Sequence, residues 1–245
     1  MRFIEFCFAA IACSSLLSGC ASIPPASTAT STVEAASIEV PAEMAARYQA
    51  LARSGGKLFA FDPKTSNIRI YVFRGGNAAN LGHSHVLSAP HFEACFYLPP
   101  DGARHAQFDL EFRLDQLEVD NSRIRAQLGG IFAREVSADD IAGTREHMLG
   151  ERSLQAERFP TVHVHSQHIT GDAPRFAADV DITLHGGTHR YSVPIRVVGL
   201  PERLSASGSL VLRQSDFGVQ PYTVLGGLLA VEDEIVLEFE LNGAG

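Results

Sequence analysis

The chain contains no tryptophan and only two lysines, Lys57 and Lys64, among 245 residues. A membrane-spanning β-barrel sets tryptophan and tyrosine at both interfaces, so one of those girdle residues is missing entirely. No run of basic residues occurs, and the formal net charge is −8. That balance argues against nucleic acid as a partner, which would require a basic footprint. There is also no glycine-rich phosphate loop, no nucleophile elbow and no spacing that assembles a catalytic triad. Ser84 beside His85 is no exception, because neighbours on a strand point to opposite faces. These absences read as a protein that is not an enzyme.

Cysteine is scarce too, with Cys7, Cys13, Cys20 and Cys95 only. Residues 3–17, FIEFCFAAIACSSLL, form an apolar run of signal-peptide size, too short to span a bilayer comfortably. Its basic flank is thin: Arg2 stands alone and Glu5 intrudes. Leu17-Ser18-Gly19-Cys20 then resembles the lipobox of bacterial lipoproteins, where small residues precede a cysteine that becomes the lipidated N-terminus. The resemblance implies removal of residues 1–19, a lipid on Cys20, and anchorage on the periplasmic side of the bacterial cell envelope. Ala21, rather than Asp, follows the cysteine, which points to the outer membrane. Cys95 is then the only thiol of the mature domain. No internal disulfide is available, and the fold must be held by its core.

What is present divides the chain into three parts: a signal over 1–19, a tether over 20–56 and a domain over 57–245. Residues 21–40, ASIPPASTATSTVEAASIEV, have a tether composition that cannot bury a core. Residues 41–53 carry the pattern of a short amphipathic helix, with Met44, Tyr48 and Leu51 at i, i+4 and i+7. From about residue 57 the period becomes two. Phe108, Leu110, Phe112 and Leu114 alternate with polar residues in 107–115. So do Phe176, Ala178, Val180, Ile182 and Leu184 in 175–185, and Ile235, Leu237, Phe239 and Leu241 in 233–241. Weaker alternation marks 66–73, 85–98, 162–170, 188–198 and 204–213. Gly186-Gly187 reads as a two-residue hairpin turn. Ser137 to Gly150 reads as one capped helix, with Val136 and Ile141 placed as a staple.

About eight antiparallel strands with one apolar face each predict an all-β fold, an extended eight-stranded barrel. Alternation alone leaves open whether the apolar face points in or out. The missing tryptophan, the non-aromatic end FELNGAG and a lipid anchor that an inserted barrel would not need favour the inward arrangement. An interior of Phe, Leu, Ile and Val is wide enough either to be filled by its side chains or to hold a slender ligand.

Five segments in order resemble the YceI-like family of lipid- and polyisoprenoid-binding proteins. They are Asp62-Pro63-Lys64-Thr65-Ser66; Thr144-Arg145-Glu146-His147-Met148-Leu149 with Phe159-Pro160; Thr183-Leu184-His185-Gly186-Gly187-Thr188; Arg213-Gln214-Ser215-Asp216-Phe217-Gly218; and Glu232-Asp233-Glu234-Ile235. The resemblance implies a lipocalin-like barrel with a short helix at its mouth. It also implies that the lumen holds a long isoprenoid amphiphile, a quinone or a polyprenyl lipid, without catalysis and without a required cofactor. The helical segment departs from the family pattern. Its histidine stands one place early, and Met148 occupies the histidine's position, where an adaptable apolar side chain would line the lumen.

Several residues are weighed for the polar end of such a ligand. His83 and His85, in LGHSHVLS, lie two apart on an extended segment and would point the same way. They suit headgroup recognition at the mouth or, alternatively, a metal or haem site, for which His105 and His147 are further ligands only through the fold. The remaining reading is a pair of ordinary histidines bonded to backbone. Arg74 and Arg145 are cations suited to a pyrophosphate or quinone oxygen, or else surface arginines paired with acids. Phe108, Phe112 and Phe217 are core or lumen residues. His163 and His165 alternate with Val162 and Val164 and should face solvent, and Cys95 reads as a buried inert thiol.

Overall fold

A computed structural model describes residues 40–245, with side chains from Glu43. The lipobox with Cys20 lies outside these residues. A helix α1 (Val40–Arg53) precedes strands β1 (Lys57–Phe61), β2 (Asn67–Gly75), β3 (His85–Ser88), β4 (Glu93–Leu98), β5 (Gln107–Arg113) and β6 (Glu118–Val119). Helices α2 (Ser122–Leu128) and α3 (Ala138–Leu149) follow. The rest is β7 (Thr161–Asp172), β8 (Arg175–Leu184), β9 (Gly187–Val198), β10 (Arg203–Arg213), β11 (Thr223–Val224) and β12 (Leu229–Ala244).

The sheet closes on itself. The order β1-β4-β5-β7-β8-β9-β10-β12 returns to β1 through Ala60↔Ala244 and Phe61↔Gly243. All these pairings are antiparallel. Three of the eight staves are broken in two. The turn at 62–66 separates β1 from β2, Ala89–Phe92 separates β3 from β4, and Leu114–Leu117 separates β5 from β6. The upper pieces β2, β3 and β6 continue the wall from the other edge of β12. The alternating segments of the sequence correspond to these eight staves.

The apolar residues of the alternation face inward. Phe108, Leu110 and Phe112 of β5, Phe176 to Leu184 of β8 and Ile235 to Leu241 of β12 all border the interior. Gly208 of β10 sits opposite Phe239, where a Cβ would come within 2.7 Å of the ring. Only glycine leaves that ring room to turn into the lumen.

One turn differs from expectation in detail. The β8–β9 hairpin turns on His185-Gly186 rather than Gly186-Gly187, because Leu184 pairs with Gly187 and Thr183 with Thr188. His185 and Gly186 have φ of 52° and 77°, the left-handed pair that a type I′ turn demands. Helix α3 behaves as its sequence predicts. The Ser137 side chain accepts from the Asp140 amide, and the Gly150 amide closes on Glu146. Helix α2, capped by Asn121, was not anticipated, since its single turn-and-a-half shows little periodicity.

The amphipathic helix expected over 41–53 is present as α1. From Val40 the chain is helical, and Met44 and Tyr48 of α1 are buried against Tyr97 on the outside of the barrel. This helix covers part of the outer face of β5, where alternation predicts a wet surface. Asp109 on that face has no exposed side-chain surface. It accepts from Tyr48 Oη at 2.6 Å, from the Arg47 guanidinium, from His163 Nε2 at 3.0 Å and from His165 Nδ1 at 2.9 Å. Burial alone would raise the Asp109 pKa. The donors from His163, Tyr48 and Arg47, with the charge of His165, outweigh it and hold the carboxyl well below the usual carboxylate range. The Tyr48 hydroxyl is pushed strongly up by burial and by the same carboxylate.

A group whose folded pKa is depressed stabilises the fold above its unfolded pKa, ~3.9 for aspartate, and loses that contribution as pH falls below it. Asp109→Asn should therefore cost about 3 kcal/mol at pH 7 and flatten the fall in stability below about pH 4. Urea unfolding at pH 7 and pH 3 checks both. Equal stability of variant and wild type at pH 7 contradicts the role given to Asp109.

Candidate functional site

The staves enclose a cavity of about 330 Å³. It begins beside Phe61, Leu200 and Leu204, where β9 turns into β10. It ends beneath α3, where Thr144, His147 and Met148 contribute to its lining. Along β8 the inward row from Phe176 to Leu184 extends about 26 Å. The space is long, narrow and enclosed by Val, Ile, Leu and Phe for most of its length.

Polar lining is concentrated at the α3 end. His85, Thr144, His147, Ser153, Gln214 and Tyr222 reach the cavity there, and Ser166 alone lies further along the wall. The Ser166 hydroxyl is occupied in accepting from the Phe108 amide at 2.7 Å. Among the described residues no Asp, Glu, Lys or Arg borders the cavity. Thr144, His147 and Met148 fall at i, i+3 and i+4, so one face of α3 presents all three. His147 stacks on Tyr222, with ring centroids 4.9 Å apart.

The two histidines of LGHSHVLS part company. His85 opens β3 and, like Leu87 two residues on, points into the cavity. His83 precedes the strand and does not border the cavity, although the two rings are only 6.4 Å apart. Burial, followed by the charge of Arg134, lowers the His83 pKa. His85 is fixed by Asp120, whose Oδ2 lies 2.6 Å from Nδ1. Asp120 Oδ1 accepts from the Val86 amide at 3.0 Å and from Arg125 at 2.5 Å. Arg125 also donates to the carbonyls of Ser84 and Arg134. Burial would raise Asp120, but His85, Val86 and Arg125 together lower it. An ionised Asp120 places the proton on Nδ1 of His85 and leaves Nε2 turned toward the cavity, with no hydrogen-bond partner among the described residues.

The predicted cations are engaged elsewhere. Arg74 donates to the carbonyls of Gly82 at 2.9 Å and Asn80 at 3.5 Å, holding the loop before β3. Arg145 donates to the carbonyls of Leu117 and Asp115, tying α3 to the break between β5 and β6. Both arginines position the mouth rather than line it, because unpaired carbonyls at strand breaks attract their guanidinium donors. Phe108 and Phe112 border the cavity, whereas Phe217 does not. Above Gly208 the strands β9 and β10 are unpaired, and Phe217 packs beside this seam against His189 and Tyr191.

His163 and His165 point outward as alternation predicts, with Val162 and Val164 inward. Both are bonded to Asp109 instead of standing free. Cys95 is half-buried beside them, its pKa raised by burial and by Asp109. His105 pairs with Asp101. Among the described residues no three His, Cys, Asp or Glu side chains are grouped to hold a metal ion, and His83 and His85 bring no third ligand with them.

The mouth residues Thr144, Gln214 and Tyr222 and the Asp120–Arg125 support have no role in the sequence reading, and His147 enters it only as a further ligand of the alternative metal site. The i, i+3, i+4 spacing on α3 carried a usable signal. Asp120 carried none, since only the β3–β6 pairing brings it to His85.

A closed apolar barrel with this mouth accords with the comparisons. The model of the YceI-like domain family matches residues 59–243. The chain belongs to the YceI-like family. Among solved structures, BcnA of Burkholderia cenocepacia superposes with a TM-score of 0.54 at 16% identity. The match covers 74% of this chain and 98% of that one. A cysteine variant of the Campylobacter jejuni YceI protein gives 0.50 at 13% identity, over 65% of this chain and 84% of its own. These likenesses establish the fold. No curated protein matches the chain. The family match begins after α1, so Arg47 and Tyr48 lie outside it.

Proposed function

We propose that the barrel binds a long isoprenoid lipid, its chain in the lumen and its polar end among His85, His147 and Tyr222. The carrying observation is the cavity itself: enclosed by the wall, apolar for most of its length, with its polar lining concentrated at one end. Each methylene moved from water into such a space contributes about 0.8 kcal/mol. The membership of a lipid-binding family supports the same reading.

The uncharged lining favours one of the two expected kinds of ligand. A buried phosphate or pyrophosphate needs paired cations, and Arg74 and Arg145 donate to backbone carbonyls and do not border the cavity. Imidazole, hydroxyl and amide groups suit a neutral quinone or prenol. The Nε2 atom of His85 is the group offered to a carbonyl or hydroxyl oxygen, donating if the ring is charged and accepting from a hydroxyl if it is neutral.

Organic extraction of purified protein followed by mass spectrometry should yield a neutral prenyl lipid. A long-chain quinone or prenol should bind more tightly than the corresponding prenyl phosphate. Ala178→Phe, which sets a ring inside the lumen, should abolish binding with the barrel's circular dichroism intact. His85→Ala should weaken binding about 3- to 10-fold. Consistent failure to bind either lipid contradicts the proposal, as does unchanged binding by Ala178→Phe.

The lipobox resemblance supports carriage of this barrel on a lipid at Cys20, on the periplasmic face of the outer membrane. Labelled palmitate should enter the wild-type protein in cells and not Cys20→Ser. Equal labelling of both refutes the anchor.

A further inference from the structure

The described residues include seven exposed large hydrophobic side chains, and four of them lie together. Leu81 is 67% exposed, Leu225 73%, Leu228 46% and Tyr222 43%. They sit on two adjoining loops, between β2 and β3 and from residue 218 to β12, held to each other where the Ala78 amide donates to the Leu228 carbonyl at 2.8 Å. Tyr222 also borders the cavity and stacks on His147. The apolar patch is therefore continuous with the mouth.

Charge is absent from both loops. No Asp, Glu, Lys or Arg falls between Arg74 and Glu93, or between Asp216 and Glu232. In a chain with net charge −8, these two loops form an uncharged side of the mouth, while α3 at the same end carries Asp139, Asp140, Arg145 and Glu146. Backbone geometry adds a separate observation. Leu225 has φ +52°, a left-handed conformation that a leucine adopts only under constraint. Gly226 and Gly227 follow at +67° and +88°, with nothing packed within 4 Å of where their Cβ atoms would lie. The turn holds a leucine out into solvent, against both its backbone preference and its hydrophobicity. Strain held beside a functional opening is a reason to seek a partner for it.

We infer that this rim docks on a lipid bilayer, with Leu81, Leu225 and Leu228 in the acyl boundary and Tyr222 at headgroup level. A protein partner recognised by charge finds nothing to pair with on these loops. A bilayer requires only apolar side chains, an aromatic with a polar tip, and no charges to desolvate. The docked rim places the cavity mouth against the membrane, so that a lipid moves between leaflet and lumen without crossing water. This last step rests on the lipid-carrier reading, whereas the docking does not.

The test uses the chain from residue 20 with Cys20→Ser, so that no acyl chain contributes, and phosphatidylcholine vesicles in a sedimentation assay. The protein should pellet with vesicles, and raising the salt concentration should not release it. Leu225→Glu with Leu228→Glu should lower the bound fraction about tenfold. Val211→Glu, at an equally exposed valine on the barrel wall, should leave binding unchanged. Failure of the parent chain to bind vesicles overturns the inference, as does an equal loss in the Val211 variant. So does a rim-dependent dimer that ignores vesicles. Prenol titration of the same double variant separates the two readings. A lumen that takes no prenol in either protein defeats the carrier reading and leaves docking standing. Retained prenol binding with slow uptake from vesicles supports both.

Discussion

Register is the constraint on which the rest of this structure depends. In a closed antiparallel wall, each pairing fixes the faces of its neighbours, and a slip by one residue would turn a whole stave inside out. Leu110↔Val164, Val164↔Ile182 and Leu212↔Ile235 pair inward residue with inward residue around the wall. The wall thus presents an almost entirely apolar surface to its interior. Because eight staves enclose slightly more space than these side chains fill, a long cavity remains.

Everything polar is consequently forced to the ends or to the outside. At the α3 end, the break between β5 and β6 leaves backbone carbonyls that need partners, and Arg145 supplies a donor there, while Arg125 holds the Ser84 carbonyl just before β3. The same buried Asp120 orients His85 into the lumen. On the outside, Asp109 collects donors from α1 and β7 and locks the helix that leads into the barrel. The mouth is built from neutral donors and acceptors because its cations are already spent.

Much of the wall was legible from the sequence. The period-two segments marked a strand for each of the eight staves and named the apolar rows of β5, β8 and β12, while the breaks that divide three staves left no mark in the alternation. The capped helix was legible from Ser137 and Gly150, whose roles are local. The β8–β9 turn was misplaced by one residue, because His185 in a left-handed conformation is invisible to composition. The site was legible only in part. His85, Phe108, Phe112 and Met148 do border the cavity, while Arg74, His83, Arg145 and Phe217 do not. The choice depended on which carbonyls each arginine met and where β3 began. Alternation makes Asp109 a wet position because nothing local in the sequence says that the helix over 41–53 docks on the outer face of the barrel. Long-range polar partners of this kind have no periodicity to reveal them.

The central claim is that the lumen, and not the exterior, receives the apolar chain of a ligand. Methyl NMR of isoleucine-labelled protein, titrated with a long-chain prenol, tests it most directly. Ile182, Ile195 and Ile235 border the cavity from three different staves, and Ile131 is exposed on the outside. The account predicts saturable shifts at the three lumen methyls and none at Ile131. Silent lumen methyls, or shifts confined to Ile131, would contradict it.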